Sequence, residues 1–72
     1  MGERWPTTKA RLVLAALQRI GWTLKRQPGT SHRTLQREGW PAYTFAFHDD
    51  VEIGSPMLSR IAKKTGLRRE DL

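Results

Sequence analysis

The sequence predicts one α+β domain in the order α-β-β-β-α, a three-stranded antiparallel sheet with both helices on one face. Three observations lead there. Residues 7–20 and 55–65 carry apolar side chains at helical spacing, and a glycine closes each stretch. Between them three short stretches alternate apolar and polar residues, with turn chemistry at the junctions. Seventy-two residues also suffice for one core only, because a chain this short buries only about 60% of its unfolded surface.

The whole of 1–72 is read as a single domain, with residues 1–6 a loose lead-in whose Trp5-Pro6 folds back on the rest. Thr7 or Thr8 offers an N-cap oxygen to the first helix. Leu12, Val13, Ala16, Leu17 and Ile20 form its apolar stripe, with Arg11, Gln18 and Arg19 opposite and Gly21 as the stop. Trp22 to Gln27 reads as a half-buried strand with Trp22 and Leu24 on one face. Pro28-Gly29 suits the centre of a type II turn. His32 to Arg37 is a weaker strand. If Leu35 points inward, Arg33 and Arg37 share its face, and His32, Thr34 and Gln36 take the open one.

Glu38 to Pro41 forms a second turn that leaves Trp40 exposed, and Ala42 to His48 is the third strand. Its Tyr43, Phe45 and Phe47 row offers a base-stacking platform, but a small domain has few large apolar groups to spare, so core packing is expected. Asp49 to Glu52 is an acidic loop that offsets local cation crowding. Ser55-Pro56 gives N-cap and first position of the second helix. Met57, Leu58, Ile61, Ala62 and Thr65 face the core, while Arg60, Lys63 and Lys64 point outward and Gly66 ends the helix. Arg68 to Leu72 forms a terminal turn, with Leu72 closing the core.

Thirteen Lys and Arg against seven Asp and Glu give a net charge of +6, and nine of the thirteen are arginine. The guanidinium fork matches phosphate, so the excess points to nucleic acid rather than to a merely solvated basic surface. The absence of cysteine removes disulfides and thiolate metal sites. The two histidines lie sixteen positions apart, without ligand spacing, so neither metal nor cofactor is expected. No apolar run reaches the ~20 residues that span a bilayer, and no signal peptide is evident. A cytoplasmic protein, monomeric when free, is the expectation.

Leu58 to Leu67 has the form of the first helix and turn of a DNA-binding helix-turn-helix. That motif needs a recognition helix, and Arg68 to Leu72 are too few for one. A basic helix beside a three-stranded sheet instead suits RNA phosphates, as in double-stranded-RNA-binding domains. His32, just past the Pro28-Gly29 turn and flanked by cations, is either an idle surface histidine or a group that moves protons on a phosphodiester.

The span from about Thr7 to Leu72 resembles the HicA (YcfA-like) toxins of bacterial toxin–antitoxin modules, small RNA-cleaving proteins with a double-stranded-RNA-binding-domain-like fold. The residues that carry the likeness come in family order. Gly21-Trp22 end the first helix, and Arg26-Gln27 precede Gly29-Thr30-Ser31-His32. His48 closes the third strand, Glu52-Ile53 follow, and Gly66-Leu67 end the second helix. The resemblance implies that His32 is the catalytic histidine. The turn here is one residue longer than the commonest Gly-Ser-His form, so either Thr30 or Ser31 stands for the family serine. Ala46 also occupies a position where many members carry proline, two residues before the second histidine.

By that resemblance the chain is an endoribonuclease that cuts mRNA and is neutralised by a HicB-type antitoxin. Metal-free cleavage needs a base for the 2′-OH, an acid for the leaving oxygen and cations for the phosphorane. His32 is the expected acid or base, with Ser31, Thr30 and His48 as candidate helpers. Lys25, Arg26, Arg33, Arg37, Arg60, Lys63 and Lys64 are the expected RNA-binding cations. The rival expectation is a non-catalytic double-stranded RNA-binding module of the same fold.

Overall fold

The computed structural model describes residues 4–25 and 32–72. In chain order the elements are β1 (Thr8–Lys9), α1 (Ala10–Arg19), β2 (Thr23–Leu24), β3 (His32–Gln36), β4 (Tyr43–Ala46), β5 (Glu52–Ile53) and α2 (Ser55–Thr65), then a 3-10 turn at Arg69–Asp71. Strands β2, β3 and β4 form one antiparallel sheet in that order, with Leu24 opposite Leu35 and Arg33 opposite Phe45. Leu35 and Phe45 are fully buried in one cluster with Val13, Ala16 and Leu17 of α1 and Leu58 and Ile61 of α2. The alternate residues His32, Gln36, Thr44 and Ala46 are exposed. Both helices therefore cover one face of the sheet and leave the other open, the α+β arrangement that the sequence predicts.

The start of α1 differs from expectation. Neither Thr7 nor Thr8 caps it. Thr8 lies in β1, its hydroxyl donates to the Pro6 carbonyl at 3.0 Å, and β1 pairs with β5 through Thr8 and Ile53. The first helical amides are met by backbone instead: Ala10 N–H donates to the Val51 carbonyl at 2.8 Å and Arg11 N–H to that of Asp49 at 3.1 Å. A loop that supplies carbonyls makes a side-chain cap unnecessary.

The lead-in does fold back. Trp5 is only 7% exposed, and its N–H donates to Ser55 Oγ at 3.1 Å. This bond accounts for a second correction, since Gly54 is the N-cap of α2 and Ser55 its first helical residue. Pro56 then sits second, where the backbone N–H still has no partner within the helix to lose.

Both helices end on glycine as expected. Trp22 N–H donates to the Leu17 carbonyl and Gly21 N–H to that of Gln18, the paired bonds of a Schellman motif, with Gly21 at φ 114°. Gly66, at φ 78°, closes α2. The Trp22 indole N–H donates to the Thr65 carbonyl at 3.0 Å, pinning the end of α1 to the end of α2. Thr65 is buried with its hydroxyl donating to the Ile61 carbonyl at 2.7 Å and accepting from Leu67 N–H at 3.2 Å.

Two expected core residues stay in water. Leu12 is 53% exposed because the buried stripe of α1 runs through Ala10, Val13, Ala16 and Leu17, and Leu12 lies off it. Leu24 faces inward opposite Leu35 yet is 45% exposed, because β2 is the edge strand of the sheet among the described residues. Leu72 is partly buried against the core, as anticipated.

Candidate active site

His32 opens β3 on the uncovered face, exposed, and directly opposite Ala46 of β4. Lys25 lies at the same end of the sheet: its N–H donates to the Thr34 carbonyl at 2.8 Å, extending the ladder by one residue. Alternation then sets Lys25 on the open side as well. Arg26, the Pro28-Gly29 turn, Thr30 and Ser31 lie outside the described residues.

Arg33 takes the inward side, as its parity with Leu35 requires. Its guanidinium is 3.0 Å from Asp49, its side chain is 22% exposed, and Nη1 is buried without a hydrogen-bond partner. The charge of this arginine is therefore matched within the protein. Asp50 similarly pairs with Arg11 at 2.8 Å. The acidic run offsets neighbouring cations as expected, and its carbonyls also cap α1. Hence the loop that carries His48 into β5 is held at several points. His48 itself is exposed, two residues beyond the end of β4, and its carbonyl accepts from Val51 N–H at 3.1 Å.

Arg60, Lys63 and Lys64 are exposed on α2. Because α2 packs on the covered face, these three lie on the other side of the sheet from His32. The sequence places both sets on one protein but cannot say that the sheet divides them.

At the opposite end of β3, Arg37 stacks its guanidinium 5.3 Å from the centroid of the Trp40 ring. Trp22 meets Trp40 edge-on, with centroids 5.9 Å apart and planes at 64°. A groove of about 460 Å³ opens here, and Thr23, Gln36, Arg37, Glu38 and Trp40 are among the residues that line it. Sequence reasoning singled out Trp40 and Arg37 separately and missed the groove. The available signal was an arginine three residues before a turn tryptophan.

The aromatic row of Tyr43, Phe45 and Phe47 is core, as expected. Phe45 is fully buried, Tyr43 and Phe47 pack partly buried against it, and the two phenylalanine rings meet at 5.2 Å. Burial pushes the Tyr43 phenol above its ordinary value of 10.0.

A family model described as the HicA toxin of bacterial toxin–antitoxin matches residues 10–67. The chain belongs to the HicA toxin family. No curated protein and no solved structure matches it. The HicA match begins at the first residue of α1 and includes both histidines, while Trp5, β1 and the 3-10 turn fall outside. As a HicA-family toxin the chain belongs to a toxin–antitoxin pair, so a cognate antitoxin is its partner. Among the described residues no helix is long and apolar enough to cross a membrane.

Proposed function

We propose that this HicA-family toxin is an endoribonuclease that cuts mRNA in the cytoplasm by histidine acid/base catalysis and so stops translation. The observation that carries the reading is the placement of His32, exposed at the head of β3 on the uncovered face and in register with Ala46. RNA supplies its own nucleophile, the 2′-OH, so one positioned acid or base contributes typically about 10²–10⁴ in rate. Lys25, on the same side and end of the sheet, counters the charge of the scissile phosphate, with Arg26 and a hydroxyl of Thr30 or Ser31 completing the set. Arg33 serves differently. Its pairing with Asp49 holds the loop that follows His48.

His48 takes the complementary proton role in this reading. It follows Ala46, the residue opposite His32, by two positions. The chain is monomeric when free, and a HicB-type antitoxin covers the open face.

Purified protein incubated with RNA in chelator should give cleavage products, and the His32→Ala protein should bind RNA without cutting it. Undiminished cleavage by that variant sinks the assignment. Binding without cleavage by both proteins would make the chain an RNA-binding module instead.

A further inference from the structure

We propose that the groove between Gln36 and Trp40 is a nucleobase pocket that reads one unpaired base of the RNA, preferring guanine. This rests on the reading of His32 as the cleavage site for RNA on the same sheet face.

Four observations converge on it. The first is position. Thr23 and Gln36 are register partners on the face that His32 occupies, so one wall of the groove belongs to that face, and Arg37 and Trp40 line the rest at the end of the sheet. Gln36 is four residues along β3, about 13 Å from His32, so one strand of RNA spans both sites. The second is the stacking surface. Trp40 is 38% exposed, and Arg37 lies over its ring, which presents a guanidinium plane already oriented on an aromatic. Unpaired bases stack on such planes and on aromatic rings.

The third observation is that the stack is seated by two glycines. A Cβ on Gly66 would come within 2.9 Å of Trp40 Cη2, and one on Gly21 within 3.2 Å of Arg37 Nε. A side chain at Gly66 would displace the indole, and one at Gly21 would push the guanidinium by a few tenths of an ångström. The fourth is the charge and hydrogen-bonding character of the rim. Arg37 is the cation that lines the groove. Glu38, which lines it, only accepts hydrogen bonds. Guanine offers two adjacent donors, N1–H and N2–H, to the two oxygens of a carboxylate. Adenine and uracil present no such pair.

The test uses the wild-type protein and 2′-O-methyl RNA hexanucleotides, which lack the attacking hydroxyl and so remain intact. Titration with a guanine-containing hexamer should quench tryptophan emission, and the quench should vanish in Trp40→Phe. An abasic hexamer of equal charge, or the Arg37→Ala protein, should bind about tenfold more weakly. Glu38→Gln should bind guanine and adenine hexamers equally, whereas the wild type prefers guanine. Equal binding of base-bearing and abasic hexamers overturns the pocket, as would be expected of a groove that takes a protein segment instead. Unchanged affinity in Arg37→Ala overturns it too, and retained guanine preference in Glu38→Gln removes the role of Glu38. The two readings fail separately. Cleavage by His32→Ala removes the catalytic assignment and leaves base-dependent quenching intact, while a missing quench leaves cleavage untouched.

Discussion

The two ends of β3 are built in opposite ways. At the Gln36 end, Trp40 is wedged between the Arg37 guanidinium, the Trp22 edge and Gly66, and the Trp22 indole is tied to α2. At the His32 end the histidine is exposed on the uncovered face, in register with Ala46. The difference predicts that changes at the His32 end alter cleavage with little effect on stability, whereas changes to the packed residues at the Trp40 end, Trp22 and Gly66, cost stability.

The largest expected effect tests the first half. His32→Ala should lower RNA cleavage by about 10²–10⁴, read from initial rates in chelator. Unfolding stability should stay within about 0.5 kcal/mol of wild type, because the side chain is exposed. A variant that unfolds far more readily would break the comparison, since His32 would then be part of the packing.

Trp22→Ala tests the second half. Trp22 is 1% exposed and its N–H satisfies the Thr65 carbonyl, so the change opens a cavity and leaves a buried acceptor unpaired. The expected cost is about 3–5 kcal/mol by urea unfolding. That is a large share of the roughly 5–15 kcal/mol typical of folded domains.

A smaller effect isolates Trp40. Gly66 and Gly39 both have positive φ, at 78° and 87°, but a Cβ on Gly39 meets nothing within 4 Å. Gly39→Ala therefore reports backbone strain alone, about 1 kcal/mol. Gly66→Ala should cost about 1–2 kcal/mol more than that, because the new methyl displaces the indole. It should also change Trp40 emission, and equal costs would show that Trp40 moves aside freely.

How much of this was legible in the sequence follows from range. Gly21 and Gly66 announce their helix ends because a left-handed residue after an amphipathic stretch is a local signal. The open-face position of His32 follows from alternation with Leu35, again local. The β1–β5 pair was not legible, because two residues cannot display a period and Thr8 finds Ile53 across most of the chain. The bond from Trp5 to Ser55 was hidden for the same reason, so Ser55 looked like a cap. The candidate site shows the same limit. Parity turned Arg33 inward, yet its pairing with Asp49 is a tertiary fact, as is the sheet that separates Lys63 and Lys64 from His32.

The smallest effects concern the loop that joins the His32 end to α1. Asp49 and Asp50 each hold one arginine, but in different surroundings. Arg11 and Asp50 are 54% and 85% exposed, so Asp50→Asn should cost no more than about 0.5 kcal/mol, and that little should vanish in high salt. Arg33 is 22% exposed with one nitrogen buried and unpartnered, so removing the charge of Asp49 strands a half-buried cation. Asp49→Asn should cost about 1 kcal/mol, with weaker dependence on salt. Asparagine preserves the backbone carbonyls that cap α1, so neither substitution disturbs that support. Urea unfolding at low and high salt separates the two variants. Equal costs in both conditions would mean that the carbonyls alone hold the loop, and Arg33 would then be available to the RNA phosphate after all.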